Sequence, residues 1–366
     1  LLPASHPPPL RIIQLRQRLR ELGAKPCHED RVLRGWSQVC SYDKKHSPAE
    51  TFFPLALRNE LPAIEAELEG LARLKSEHPA TLSPTLSRDA GEGANEALRT
   101  SSNNEEVARL LVELHDGQMV ESVLLPRGGL CVSTQVGCAV GCVFCMSGRD
   151  GLLRQLGSAE IVAQVVLARR RRAVSKVVFM GMGEPAHNLD NVLEAIEVLG
   201  IQGNIGHKNL VFSTVGDLRV FERLPRETVK PALALSLHTT DTVLRAKLLP
   251  RAPQIAVEEL VERAEAYARA THYPVQYQWT LIKGVNDGDA ELERIARLLS
   301  GKYAVMNFIP FNEVDGLSYR RPSAERTAAM VHALNQQGIY TRIRDSAGQE
   351  IEGACGQLRA RAVKVG

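Results

Sequence analysis

Three cysteines within eight residues carry the most pointed chemistry in this chain. The run Gly137-Cys138-Ala139-Val140-Gly141-Cys142-Val143-Phe144-Cys145 spells C-x3-C-x2-C on a glycine-containing loop. Thiolates at Cys138, Cys142 and Cys145 can hold three irons of a cubane cluster, leaving the fourth for a small molecule to chelate. Zinc is the rival, but a structural zinc site closes with four ligands and usually uses a second C-x-x-C pair, which this sequence lacks. Of seven cysteines, four lie between Cys131 and Cys145. An odd, clustered set in a long chain suits a metal or redox site better than a disulfide framework.

The elements that must position this loop follow from periodicity. Residues 10 to 75 read as helical: Ile12, Leu15, Leu19 and Leu22 form a stripe within Arg11–Leu22, and Leu61–Leu74 repeats the style. The stretch His78–Asn104 mixes Pro79, Pro84, Gly91 and Gly93 with small polar and charged residues, and reads as a linker or mobile loop. These features divide the chain into a helical N-terminal domain (1–77), a polar linker (78–106) and a core (107–366). In the core, apolar β-branched runs at Lys176–Met180, Leu210–Val215, Ala232–Leu237, Val275–Ile282, Val305–Phe311 and Ile339–Arg344 alternate with helical patterns. Those helices are expected at Ala159–Arg170, Leu189–Leu199, Val257–Ala270, Ala290–Leu299 and Ala324–Leu334. Repeated β-then-α units predict an α/β fold with parallel strands, as a barrel or an open sheet, and chemistry at the strands' carboxyl ends.

Bulk properties set wide limits. The chain has 366 residues, 44% hydrophobic and 24% charged, with net charge +3 and pI about 8.5. That balance permits a polyanionic partner without requiring one. No run approaches the roughly 18 to 20 apolar residues of a membrane span, and Leu1–Leu10 lacks the layout of a signal peptide. The expectation is a cytoplasmic protein that is monomeric and has no membrane partner.

The cysteine spacing, with Phe144 before the last cysteine, is the signature of the radical S-adenosylmethionine (SAM) superfamily. The resemblance implies a 4Fe–4S cluster whose open iron binds SAM, release of a 5′-deoxyadenosyl radical, and a partial (β/α) barrel. Further blocks narrow it. They are Leu130-Cys131-Val132-Ser133-Thr134-Gln135-Val136-Gly137-Cys138, Gly181-Met182-Gly183-Glu184-Pro185, Phe212-Ser213-Thr214-Val215-Gly216, Ser236-Leu237-His238, Gly284-Val285-Asn286-Asp287, Asn307-Phe308-Ile309-Pro310-Phe311-Asn312 and Gly353-Ala354-Cys355-Gly356-Gln357-Leu358. In this order, from about Val120 to Leu358, the set resembles the RlmN/Cfr family of RNA adenine methyltransferases. Read alone, Gly181 to Ala186 also fits a dinucleotide fingerprint, but Pro185 and the upstream cysteines argue against it.

The resemblance implies that Gly183, Glu184, Ser213, Ser236, Leu237, His238 and Asn312 bind SAM. Taken singly, His238 is more often a hydrogen-bonded structural residue and Asn312 a turn former. The family reaction methylates one cysteine, removes hydrogen from that methyl, joins the carbon to C2 or C8 of an adenine in ribosomal or transfer RNA, and frees the product through a disulfide. Cys355 matches the methyl carrier and Cys131 the resolving thiol. An adenine C–H carbon is not nucleophilic, so a covalent route through a thiolate splits a difficult step into easier ones. Val120-Glu121-Ser122-Val123-Leu124-Leu125-Pro126 matches the stretch that carries the general base, Glu121, whose apolar neighbours would raise its pKa. The partners implied are RNA and an electron donor such as flavodoxin or ferredoxin.

Residues 1 to 119 do not follow the family clearly. RNA contacts are expected from Arg34-Gly35-Trp36-Ser37-Gln38 with Lys44 and Lys45; Arg169–Arg172 and the tail Arg359–Lys364 are further phosphate candidates, the former more readily read as an exposed helix end with a favourable dipole and the latter ambiguous. Met146-Ser147-Gly148 and Thr239-Thr240 depart from the commonest family wording and imply a divergent branch. The alternatives are a radical SAM enzyme acting on a protein or small molecule, which leaves Cys131 and Cys355 without a shared role, and a zinc-stabilised RNA-binding module.

Overall fold

A computed structural model describes residues 8–43, 48–80, 107–314, 316–344 and 351–360. Four helices open the chain: α1 (Ile12–Glu21), α2 (Pro26–Gln38), the single turn α3 (Ala49–Phe52) and α4 (Leu55–Gly70). The stripe expected in α1 is the buried one, with Ile12, Leu15 and Leu19 all inside. The helical reading of residues 61–74 runs too far. The helix stops at Gly70, and β1 (Ala72–Pro79) pairs antiparallel with β2 (Ala108–Leu114). Leu71 and Leu74 fit either period, and the available sheet edge decides between them. His78 and Pro79, read as the start of a linker, are paired with Arg109 and Ala108. The rest of that linker (81–106), Lys44, Lys45 and the tail 361–364 lie outside the described residues.

Ten strands form one open sheet. Strands β2, β3 (Met119–Leu125) and β4 (Gly129–Cys131) continue antiparallel from β1. A short ribbon, β5 (Gln135–Gly137) and β6 (Leu152–Gln155), stands apart. After α5 (Ser158–Arg169) the chain alternates: β7 (Lys176–Phe179), α6 (Leu189–Ile201), β8 (Leu210–Thr214), α7 (Leu218–Arg223), β9 (Ala232–Ser236), α8 (Thr242–Leu248) and α9 (Val257–Thr271). It closes with β10 (Val275–Leu281), α10 (Asp289–Leu299), β11 (Ala304–Pro310), α11 (Ala324–Gln336) and β12 (Thr341–Ile343). Strands β4 and β7 to β12 are parallel neighbours in chain order, as right-handed crossovers require. The fold is the expected α/β partial barrel, and among the described strands it does not close.

The N-terminal helices share the main hydrophobic core with this sheet: Ile12, Leu33, Trp36 and Ile64 belong to the same buried cluster as Val177 and Phe212. That packing takes up much of two segments expected to contact RNA, leaving Arg34 of the first exposed. Of the segment 34–38, Gly35, Trp36 and Ser37 are buried in α2, and the Gln38 amide donates to the carbonyl of Gln202. In the arginine run, Arg169 and Arg172 are committed inward, whereas Arg170 and Arg171 stay exposed. Arg169 donates to the carbonyls of Ser37 (2.7 Å), Val174 (3.1 Å) and Gly203 (2.8 Å). Arg170 pairs with Glu69, Arg171 with Glu77, and Arg172 donates to the carbonyls of Leu125 and Gly129. At Arg169 and Arg172, orphan carbonyls at element ends take the guanidinium donors. Among the described residues no helix is long and apolar enough to cross a membrane.

Candidate active site

The cysteine loop leaves and returns through the β5–β6 ribbon, where the Cys138 N–H donates to the Gly151 carbonyl (3.0 Å). Gly137 has φ +83°, and a Cβ there would stand 2.0 Å from the Gly151 oxygen, so only glycine closes the loop's neck. Arg154 of β6 fastens the ribbon to the barrel through Asp116 (2.6 Å) and Glu160 of α5 (2.9 Å).

Cys138, Cys142 and Cys145 line one cavity beyond the carboxyl ends of the parallel strands. The cavity is partly open to solvent. Burial raises all three thiol pKa values, Cys138 to about 12, and each cysteine opposes ionisation of another. Such thiols become thiolates only when a metal supplies the compensating charge. Among the described residues no three His, Cys, Asp or Glu converge as ligands of a single ion. Thiolates on three corners of a cubane stand further apart than ligands of one ion, so the residues fit a cluster with an open iron.

The other expected cofactor residues converge on the same cavity, with one exception. Gly183, Glu184, Ser213, Ser236, His238 and Asn312 all line it; Leu237 does not, being fully buried with its N–H on the Gln278 carbonyl (3.0 Å). Gly183, at φ +102°, lets the chain pass against Gln135, whose side chain a Cβ would meet at 2.6 Å. The Gln135 Oε1 accepts from the Glu184 N–H (2.8 Å). The Glu184 carboxylate accepts from the N–H groups of Ala186 (3.1 Å) and Val215 (3.0 Å). Burial outweighs these bonds and pushes its pKa up to about 7.

His238 holds a left-handed φ of +64°, uncommon for a residue with a Cβ. The Gly284–Asp287 block explains how. Asn286 donates from Nδ2 to the carbonyls of His238 and Thr280 (both 2.7 Å), and its Oδ1 accepts from the Ile282 N–H (2.7 Å). The His238 Nδ1 accepts from the Thr280 N–H (3.0 Å), and burial, then Arg245, depresses its pKa to about 3. The ring is therefore neutral and carries its proton on Nε2.

Cys355 lines the cluster-side cavity and also a second one, which contains Cys131, Met180 and Arg344. Cys131, at the end of β4, is buried; burial first, then Cys355, raises its thiol to about 12, against a smaller opposing pull from Arg344. Four bonds tether the Cys355 segment. Asn312 Nδ2 donates to the Cys355 carbonyl (2.9 Å), and the Met146 N–H to that of Gly356 (2.7 Å). The Ser147 hydroxyl donates to the Leu358 carbonyl (2.8 Å), and Glu121 Oε2 accepts from the Arg359 N–H (2.8 Å). Met146 and Ser147, where the wording departs from the commonest pattern, thus tie the cysteine loop to the Cys355 segment. Glu121 lines neither cavity; its Oε1 pairs with buried Arg109 (2.8 Å), and burial still raises its pKa.

Comparison with known proteins agrees with this geometry. Residues 132–299, which contain the three cysteines and the strand ends from β7 to β10, match the radical SAM superfamily. A probable RNA methyltransferase of Azoarcus sp. (strain BH72) is 65% identical over 356 residues, covering 97% of this chain and 96% of that protein. One of Methylibium petroleiphilum is 66% identical over 354 residues, 97% and 94% of the two chains. The chain belongs to the radical SAM superfamily, in the same family as these relatives. A radical SAM methyltransferase from Sphaerobacter thermophilus has a similar structure, with TM-score 0.78 and 34% identity across 96% of this chain and 98% of that one.

For a radical SAM protein the 4Fe–4S cluster and SAM are the cofactors, and the superfamily match ends before Asn312 and Cys355. Sequence reasoning missed Gln135 as the support of Glu184, Asn286 as the support of His238, and Arg344 and Arg245 near the cysteines. Gln135 and Asn286 lie in blocks already singled out, so strand-end position would have found them. An arginine inside a short helix gives no such signal.

Proposed function

We propose that this radical SAM protein is an RNA methyltransferase that places a methyl group on an adenine ring carbon, C2 or C8, of ribosomal or transfer RNA. The names of its relatives support RNA as the substrate. The observation that carries the cysteine route is that Cys355 is the shared wall of two cavities, one with the three cysteines and one with Cys131. On this reading Cys138, Cys142 and Cys145 hold the cluster, and Gly183, Glu184, Ser213, Ser236, His238 and Asn312 hold SAM. Bound there, the two cofactors supply a carbon-centred radical that removes a hydrogen atom.

This chain's own residues do the rest. The Cys355 Sγ carries a methyl group as a thioether, and loss of one hydrogen from it lets its carbon bond to the adenine ring. The adduct radical's surplus electron would pass to the oxidised cluster that the three cysteines hold, and the ring-carbon proton goes to Glu121. The Cys131 thiolate then attacks Cys355 Sγ; the disulfide forms as the carbon–sulfur bond breaks, and the freed methylene takes up a proton to become the methyl group. Glu121 serves as the base once the Arg359 N–H is withdrawn, and until then it anchors the Cys355 segment. The neutral His238 donates its Nε2 proton to a cofactor heteroatom.

Mass analysis of tryptic peptide 345–359 from anaerobically purified, cluster-loaded protein tests the route. One added methyl on Cys355, absent from a Cys138→Ala variant, is expected. An unmodified Cys355 after supply of SAM would remove the methyl carrier and favour a protein or small-molecule substrate.

A further inference from the structure

Arg245 is the one feature of this region that the cofactor contacts leave unexplained. It lies mid-way along α8 with 3% of its surface exposed. Its Nη2 donates to the carbonyls of Val215, just after β8, and of Ser236 (3.4 Å), at the end of β9. Its Nε is buried without a partner, and no carboxylate forms an ion pair with it among the described residues. Buried Arg109, by contrast, has Glu121 at 2.8 Å. The position is held firmly. Asp241 caps α8 through the N–H groups of Val243 and Leu244, while Thr239 and Thr240 are fixed by Glu291.

A guanidinium withdrawn from water with only carbonyls for company is costly until an anion comes close. Burial lowers its pKa to about 10, so it remains charged near neutrality. Its helix meets the cysteine loop directly: the Val143 N–H, next to Cys142, donates to the Leu248 carbonyl at the end of α8 (3.0 Å). Arg245 is not part of the cavity wall; Val215, Ser236 and His238 are. A carboxylate of SAM in that cavity therefore meets those residues first. The cluster with its three thiolates is an anion that Arg245's field can reach across that wall without contact.

We propose that Arg245 is the built-in counter-charge of the cluster, a positioning residue that joins the ends of β8 and β9 and whose fixed positive charge favours the cluster's reduced state. The inference rests on Cys138, Cys142 and Cys145 holding the cluster and is independent of the RNA substrate. Reduction takes one electron from a low-potential carrier protein of the flavodoxin or ferredoxin class, with no proton, and leaves the cluster one unit more negative. A neighbouring cation stabilises that form more than the oxidised one.

The test is an anaerobic redox titration of the cluster, followed by electron paramagnetic resonance, in the parent protein, Arg245→Gln and Arg245→Lys. Gln keeps a donor for the strand-end carbonyls and removes the charge; Lys keeps the charge. The expected result is a reduction equilibrium at least about tenfold less favourable in Gln, about 59 mV lower for one electron, with Lys close to the parent. Equal shifts in both variants, or no shift in either, would overturn the proposal. If Gln folds without retaining its cluster, loading restored by Lys supports the charge and loading lost in both rejects it. SAM affinity is measured alongside. A tenfold loss in Gln with an unmoved potential would assign Arg245 to the SAM carboxylate instead. Iron analysis of the parent separates failure of this inference from failure of the cluster reading.

Discussion

Glu184 shows how one buried carboxyl is set for a cationic ligand. It titrates near 7 in the folded protein against an ordinary 4.5. The folded state thus holds this proton more tightly than the unfolded chain does. Below about pH 4.5 both states are protonated and there is no penalty; as pH rises through 7 the penalty grows to about 3 kcal/mol. In cluster-free protein, Glu184→Gln is expected to raise the urea midpoint near pH 8 and to leave it unchanged near pH 4. The same variant should bind SAM at least tenfold more weakly near pH 8, because the carboxylate proposed to meet the ammonium group is gone. Equal stabilities at both pH values would show that the carboxylate is not the source of strain.

Elements decide how such residues are presented, and here the sequence is informative in some places and silent in others. The parallel strands from β7 to β11 could be read from their β-branched runs because strands buried on both faces are largely apolar. The cysteine loop and the blocks at the strand ends were visible because ligand-facing loops need particular residue types. The antiparallel strands β1 and β2 were not. β1 alternates half-buried and exposed residues on an edge, and its leucines satisfy a helical period equally well. Arg245, Gln135 and Arg344 matter through what they face, which spacing alone does not reveal. Asn286 tests the element-level account. Asn286→Ala removes three buried bonds that hold the β10 end and the left-handed His238. It is expected to cost about 3 kcal/mol and to weaken SAM binding more than tenfold. Urea titration and equilibrium binding check both, and an unchanged SAM affinity would mean that His238 keeps its pose unaided.

Across the whole molecule, the N-terminal helices and the barrel are joined by buried contacts, not merely by the chain. Arg169 spans α2, the approach to β7 and the turn after α6 through three carbonyls. Arg169→Met keeps the apolar stem but strands those carbonyls, and should cost about 3 kcal/mol. Hydrogen exchange in α2 is expected to quicken more than exchange in β8 to β11, whereas uniform quickening would show that no local joint exists. The Cys355 segment is held in turn by Asn312, Met146, Ser147 and Glu121. Under the proposed route Cys355 delivers carbon to RNA and Cys131 releases it. The most direct measurement is to incubate cluster-loaded Cys131→Ala with SAM, a reductant and unmodified RNA, then look for protein and RNA that travel together under denaturing conditions. The account predicts a covalent adduct that maps to Cys355 and is absent from the Cys131→Ala, Cys355→Ala double variant. Free methylated RNA from Cys131→Ala at the parent rate, with no adduct, would contradict it.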